Sequence, residues 1–188
     1  LEDLTSYYTL WVHQIKTPIA AMDLLLQAGP DRATEMEIEL QKIAQYVDMV
    51  LQYLRLDSTA KDLVLQRCHL DAVVRQTVRK YAKLFILKKI QLVFQETKWE
   101  VLSDEKWLCF LLEQLLSNAL KYTPEGGKIS IFLEGETNLV IADTGIGIAP
   151  EDLPRVFEKG FTGNNGRMDK KATGIGLYLC RRVTNLLG

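Results

Sequence analysis

The chain has 188 residues, of which 47% are apolar and 25% charged, and its formal net charge is −1. That composition excludes a disordered chain, and a near-neutral charge without a long basic run argues against nucleic acid as a partner. No uncharged apolar run approaches the ~20 residues that a membrane-spanning helix needs, and no signal peptide is read at the start.

The first expected element is a helix over residues 1–27. Its apolar positions Leu4, Tyr8, Trp11, Ile15, Met22 and Leu25, with Pro18 on the same rhythm, alternate steps of four and three, the period of a packing helix face. His13 lies two residues from both Trp11 and Ile15, a rotation of roughly 200°, so its imidazole is expected on the solvent side. Gln27-Ala-Gly-Pro-Asp31 reads as a turn, with Asp31 as a candidate N-cap. A second helix over 32–57 carries Met36, Leu40, Ile43, Val47, Val50 and Leu54. Two such helices make an antiparallel hairpin with a long apolar stripe and little sequence of its own to cover it. A homodimeric four-helix bundle would bury that stripe; packing on the chain's own C-terminal half is the alternative.

Residues 58–62 are small and polar and read as a linker between a helical domain, 1–57, and a second domain, 63–188. There the expected order is strand 63–67, helix 71–88, strand 90–94, a short segment near Val101, and a helix capped by Ser103 or Asp104 and running to Tyr122. Strands 128–133 and 138–142 follow, then a short helix from Pro150 to Phe157, an aperiodic Gly/Asn/Lys-rich loop over 159–172 and a helix over 173–187. This half is expected to be an α/β sandwich with helices on one face of a mixed sheet, making the whole chain α+β with two domains. Both ends look cut, so a longer protein with membrane segments upstream is expected. Cys68, Cys109 and Cys180 form no CxxC or metal spacing and read as core thiols in a reducing, cytosolic setting. His69 has no motif around it and reads as structural.

Three stretches carry residues suited to chemistry. Asp143-Thr-Gly-Ile-Gly-Ile148 follows a strand in which alternation puts Leu139, Ile141 and Asp143 on one face. If the apolar pair faces the core, the carboxylate is buried and needs donors, for which an adenine amino group is suitable. Gly145 and Gly147 would let the backbone approach a ligand, although Asp-x-Gly is also an ordinary turn. Ala172-Thr-Gly-Ile-Gly-Leu177 places a second glycine pair at a helix start, where free amides attract phosphate, or simply make a turn. On the helix ending at Tyr122, Gln114, Asn118 and Lys121 or Tyr122 share a face. That face offers amide oxygens for Mg²⁺, an ammonium for phosphate and an aromatic ring, unless it is only a polar outer face.

The order His-x-x-Lys-Thr-Pro, Asn-Ala-x-Lys-Tyr, Asp-x-Gly-x-Gly, Phe-x-x-x-Phe and Gly-x-Gly-Leu resembles the cytoplasmic portion of bacterial sensor histidine kinases across nearly the whole chain. The wording around His13, with Phe157-Glu-Lys-Gly-Phe-Thr-Gly163, resembles the subgroup sensing cell-envelope stress or antimicrobial peptides (bacitracin-type) alongside transporters. The resemblance implies a dimerising phosphotransfer hairpin followed by an ATP-binding domain of the kinase/gyrase (Bergerat) type. His13 would be the phosphoacceptor, Thr17 would orient water for dephosphorylating a regulator, and Asn118 would ligate Mg²⁺ at the phosphates of ATP. Lys121 would contact phosphate, Tyr122 would line the nucleotide site and Asp143 would accept the adenine amino hydrogen. Gly145, Gly147, Gly174 and Gly176, with Thr173 and Leu177 beside the second pair, would shape the pocket. Phe157 and Phe161 would precede an ATP lid over 159–172.

The implied activity is ATP-dependent autophosphorylation, followed by transfer to an aspartate of a response regulator receiver domain. A silent dimeric scaffold and a gyrase-type ATPase clamp are the rival functions. The full protein is expected in a bacterial cell membrane, associated with a transporter. Three residues depart from the family pattern. Gln14 replaces an acid; its amide cannot act as a base, but its oxygen could fix the imidazole tautomer by accepting a ring N–H. Gln114 stands where Asn is common, as a possible second Mg²⁺ ligand, and Ala172 replaces a glycine. The family also continues past Gly188 into closing strands, so a smaller sheet is expected.

Overall fold

The computed structural model describes residues 2–58, 63–163 and 173–188, with side chains of the first helix from Trp11 onward. It divides into two compact units, Leu1–Thr59 with Arg155–Leu179, and Ala60–Pro154 with Cys180–Gly188.

In the first unit, α1 (Glu2–Gln27) runs unbroken through Pro18 and α2 (Ala33–Ser58) returns beside it. The turn between them holds Gly29 at φ 114° and a 3₁₀ turn over Pro30–Arg32. Asp31 lies inside that 3₁₀ turn instead of capping α2, because Pro30 starts helical geometry earlier than expected. Trp11, Gln14 and Pro18 are buried along α1, and Ile38, Met49 and Tyr53 along α2. The Trp11 ring meets Tyr53 edge-on, with centroids 5.2 Å apart at 72°.

The expected apolar stripe of α2 is only partly covered within the single chain. Met36, Ile43 and Val50 are partly buried, but Leu40, Val47 and Leu54 are exposed, as is Leu51. The apolar stripe is wider than one partner helix can cover: its Ile38–Met49–Tyr53 side packs within the unit and its other side faces outward. From the C-terminal part of this unit, Lys159 Nζ donates to Tyr53 Oη at 3.0 Å and lies 5.4 Å from that ring's centroid.

The second unit contains β1 (Gln66–His69), α3 (Leu70–Lys80), α4 (Ala82–Leu87), β2 (Gln91–Phe94), β3 (Glu100–Ser103), α5 (Glu105–Tyr122), β4 (Lys128–Glu134) and β5 (Asn138–Asp143). Strands β1 and β3 pair antiparallel, with Cys68 opposite Val101. The other sheet has the order β2-β4-β5, β2 parallel and β5 antiparallel to β4. It is therefore mixed, as expected. Helices α3, α4 and α5 supply Leu70, Val73, Val74, Phe85, Leu112, Leu116, Ala119 and Leu120 to a core closed by Ile129 and Ile131 of β4. Burying each large apolar side chain there contributes about 1.5–3 kcal/mol, which is what drives the helices onto the sheet. Asp104 caps α5, its Oδ1 accepting from the Lys106 and Trp107 amides at 2.9 and 3.3 Å.

Several boundaries differ from the sequence reading. The first strand begins at Gln66, not residue 63. The helix expected over 71–88 is two helices separated at Tyr81, whose side chain is buried and whose φ of −103° leaves the helical range. Burial of that ring fixes a bend that the continuous apolar period conceals. Between Pro150 and Phe157 only a 3₁₀ turn forms, over Leu153–Arg155. The last helix, α6 (Gly176–Leu187), starts after Thr173 because Gly174 takes φ +65°. Cys68 and Cys180 are buried, Cys109 is partly buried, and all three are free thiols. His69 is exposed beside Glu100, Nδ1 to Oε1 3.3 Å. None of the described helices is long and apolar enough to cross a membrane.

Candidate functional site

In the second unit the candidate residues converge on the C-terminal end of α5. Helical spacing stacks Gln114, Asn118 and Lys121 or Tyr122 along one side, but their exposure differs. Gln114 is 4% exposed, Asn118 and Tyr122 are partly accessible, and Lys121 is exposed, its ammonium 4.9 Å from the centre of the Tyr122 ring. The amide oxygen open to a cation is thus that of Asn118.

Strand β5 delivers Asp143 to the same end. Leu139 and Ile141 pack on the core, as alternation requires, yet Asp143 is exposed and not buried with them. The reason is its position: it is the last residue of the strand, beyond the reach of the core. Its Oδ1 accepts the Gly145 amide at 2.8 Å, which fixes the carboxylate at the turn. Thr144 anchors that turn to β4. Its amide donates to the Lys128 carbonyl at 3.0 Å and its Oγ1 accepts the Lys128 amide at 2.9 Å.

Gly145 is the residue that joins the two elements. A Cβ there would fall 2.8 Å from the Tyr122 carbonyl oxygen and 2.5 Å from Asp143 Oδ1. The next amide, Ile146, donates to the same Tyr122 carbonyl at 3.3 Å. Gly147 takes φ +70°, with nothing within 4 Å of the place a Cβ would occupy. Asn118, Tyr122, Asp143 and Gly145 therefore share one ledge with accessible polar atoms and a close glycine backbone. Sequence reasoning missed Thr144, whose partner Lys128 is distant in the chain, and Gly127, whose hypothetical Cβ would lie 2.4 Å from the Thr123 methyl and 3.0 Å from Thr144 Oγ1.

The first unit holds the other candidates. His13 is exposed on α1, as its spacing requires. Gln14 is 7% exposed and its Oε1 accepts from Tyr46 Oη at 3.3 Å. Its oxygen is directed to α2 and not to the imidazole, because one residue further round the helix faces the hairpin interior. Thr17 is exposed and its hydroxyl donates to the His13 carbonyl at 3.2 Å.

Phe157 is 40% exposed, whereas Phe161 is partly buried beneath the Arg155 guanidinium, 4.4 Å from its ring centroid. The Gly160 amide donates to the Gly174 carbonyl at 2.9 Å, and a Cβ on Gly174 would fall 2.4 Å from the Gly160 carbonyl carbon. Backbones cross there so closely that only glycine fits. Thr173 Oγ1 accepts the Ile175 amide at 3.2 Å, leading into α6 at Gly176 with Leu177 partly buried. Of the lid expected over 159–172, residues 164–172, including Ala172, lie outside the described residues.

Residues 103–188 match the family described as histidine kinase-, DNA gyrase B-, and HSP90-like ATPase. They belong to it. The matched stretch takes in α5, the Asp143 turn, the phenylalanine pair and the Gly174 pair. The chain is also 39% identical over 181 residues to the sensor protein BceS of Halalkalibacterium halodurans, covering 94% of this chain and 54% of that protein. The sensor protein BceS of Bacillus subtilis is 36% identical over 188 residues, covering 97% of this chain and 56% of that protein. The chain thus spans little more than half the length of these relatives. Among solved structures, the Acinetobacter baumannii histidine kinase AdeS aligns over 93% of this chain and 87% of its own, with a TM-score of 0.58 at 23% identity. That likeness supports the fold, an α+β arrangement of histidine kinase type.

Proposed function

We propose that this chain is the catalytic portion of a sensor histidine kinase that phosphorylates itself on His13 and passes the phosphoryl group to an aspartate of a response regulator receiver domain. The single observation that carries the reading is an exposed imidazole on a helical hairpin in the same chain as an ATPase domain of the histidine kinase type. A nucleophile must be open to its substrate, and His13 is the histidine placed that way within the His-x-x-Lys-Thr-Pro stretch.

The ledge fits an adenine nucleotide. Asp143 presents an accessible carboxylate for an exocyclic amino group, and Gly145 and Gly147 leave room for close approach. Lys121 supplies a cation for phosphate and Tyr122 an apolar wall. No group of three or more His, Cys, Asp or Glu able to hold a metal occurs among the described residues. The accessible amide oxygen of Asn118 suits Mg²⁺ brought in on phosphate oxygens, with Asn118 as its protein ligand and the buried Gln114 one turn earlier on the same side of the helix. Bound Mg²⁺ would supply charge neutralisation at the transferring phosphoryl group.

His13 Nε2 attacks the γ-phosphorus of ATP; the N–P bond forms, the bond to the bridging oxygen breaks and ADP leaves. The chain's contribution is positioning and electrostatic stabilisation. Because Gln14 is engaged by Tyr46, the role of Gln14 is to fix α1 against α2 and so aim the neighbouring His13 outward. Thr17, one turn on, would orient water when the regulator is dephosphorylated.

The outward apolar side of the hairpin supports a homodimer through a four-helix bundle, since Leu40, Val47 and Leu54 are exposed in the single chain. The domain organisation proposed is 1–57 for dimerisation and phosphotransfer, 58–62 as linker and 63–188 for ATP binding. Ser58 closes α2, and 59–62 lie outside the described residues. Membrane anchoring of the full protein, a cell-envelope stimulus and association with a transporter follow from the resemblance to the bacitracin-type sensors.

Incubation with γ-labelled ATP and Mg²⁺ tests the reading. Acid-labile, base-stable label on the protein, lost in His13→Ala and retained in His69→Ala, is expected. Free phosphate with no labelled protein would favour an ATPase clamp, and absence of nucleotide binding a silent scaffold. Label lost in His69→Ala instead would overturn the assignment of His13.

A further inference from the structure

The end of α5 has no glycine to close it. An α-helix leaves its last carbonyls without amide partners, and these carry the negative end of the helix dipole. Here the chain leaves α5 through Thr123, extended at φ −81° and ψ 127°, and then Pro124, so the usual left-handed glycine cap cannot form. The Thr123 amide returns to the Ala119 carbonyl at 2.9 Å. Lys88, which ends α4 far upstream, serves two more of these carbonyls: its Nζ donates to those of Leu120 and Thr123, both at 2.5 Å.

The same residue grips the following turn by its backbone, the Gly126 amide donating to the Lys88 carbonyl at 2.9 Å. Its neighbour Lys89 pairs with Glu125, Nζ to Oε1 2.6 Å. Burial pushes the Lys88 ammonium below the ordinary lysine range, yet carbonyls at the negative end of a helix are the partners that favour its charged form.

The capped turn is the one that carries Lys121 and Tyr122, and the Tyr122 carbonyl is the surface on which Gly145 and Ile146 rest. We propose that Lys88 is a positioning residue for nucleotide binding: its ammonium caps the C-terminus of α5 and so holds Lys121, Tyr122 and the Asp143 turn in register. It touches no nucleotide itself. This inference rests on the nucleotide reading of the ledge.

The test is the affinity of the 188-residue chain for Mg·ADP by calorimetry, with KM for ATP in autophosphorylation alongside. Lys88→Met keeps the aliphatic stem and removes the ammonium; the dissociation constant should rise about fivefold or more, and KM with it, while kcat at saturating ATP changes by less than about twofold. Lys88→Arg should restore affinity to within about twofold, because a cation with several donors again reaches the carbonyls. Val73→Ala, a core change in α3, should lower the melting temperature without moving affinity.

Unchanged affinity in Lys88→Met, or an equal loss in Val73→Ala at matched thermal stability, would overturn the positioning role. Should Lys88→Met fail to fold, Lys88→Gln takes its place, with an intermediate loss expected and unchanged affinity again overturning the role. A parent chain that binds no Mg·ADP would overturn the nucleotide reading itself, an outcome distinct from a parent that binds and a Lys88 variant that binds equally well.

Discussion

Gly145 lies so close to the backbone of Tyr122 that a β-carbon on it would stand 2.8 Å from the Tyr122 carbonyl oxygen and 3.0 Å from its carbon. The obstacle is helix-end backbone, which cannot rotate away as a side chain could. Gly145→Ala should therefore push the Asp143 turn off the end of α5. Affinity for Mg·ADP is expected to fall about tenfold or more, since a displacement of about an ångström in a positioning element has effects of that order. Calorimetry of the variant checks it; wild-type affinity would mean that the contact does not set the site.

A second prediction concerns the hairpin. Trp11 is 2% exposed and packs edge-on to Tyr53. Trp11→Ala removes the largest side chain on the buried side of α1, where truncation of a buried aromatic costs about 3–5 kcal/mol. Urea unfolding followed by helical circular dichroism should show a transition at lower denaturant. Tyr53→Phe, which keeps the ring and loses the hydroxyl that accepts from Lys159, should cost far less.

These residues also mark how far the sequence could be read. The apolar rhythm of α1 placed Trp11 and Pro18 inside and His13 outside because helix period and burial are one geometric fact. It could not say which side of the broad stripe on α2 would meet α1, since Ile38 and Leu40 are equally apolar and only packing separates them. Alternation along β5 located Leu139 and Ile141 correctly but misjudged Asp143, because face says nothing about where the core ends. The Lys88 cap of α5 and the Tyr46 partner of Gln14 were beyond reach for a different reason. They join residues distant in the chain, and neither lysine nor tyrosine has a local pattern that names its partner.

Asp71 offers a test in acid. Burial alone would raise its pKa. The Thr97 amide at 2.9 Å, the Thr97 hydroxyl at 2.7 Å, the Lys98 amide at 2.8 Å and the Arg75 charge outweigh burial and hold it below the ordinary value of 3.8. These bonds pin a turn in which Lys98 takes φ +54°. A depressed folded-state pKa means that the stabilisation is complete above the unfolded value and is lost as pH falls through the folded one. Asp71→Asn should cost about 1–3 kcal/mol at neutral pH, and the gap between parent and variant should narrow below about pH 4. Urea titrations at pH 7 and pH 3 provide the comparison, and a gap independent of pH would show that the charge is not what matters.

The thiols make the opposite prediction in base. Burial pushes Cys180 up to about 12 from the ordinary 9.0. Cys109 is pushed up to about 11, first by burial and then by the charges of Glu105 and Glu113. Above pH 9 the unfolded chain releases these protons and the folded chain retains them, so stability is complete below about pH 9 and declines as pH rises toward the folded values. The limiting slope is about 1.4 kcal/mol per pH unit for each fully shifted thiol, with the larger share from the more deeply buried Cys180. Lysines and tyrosines titrate in the same range, so the difference between parent and a Cys109→Ala/Cys180→Ala double variant isolates the thiols. Unfolding free energies at pH 8, 9 and 10 should fall more steeply for the parent than for the variant. Equal slopes would mean that ionisation of these thiols is as easy in the folded chain as in the unfolded one, and that their burial does not govern stability in base.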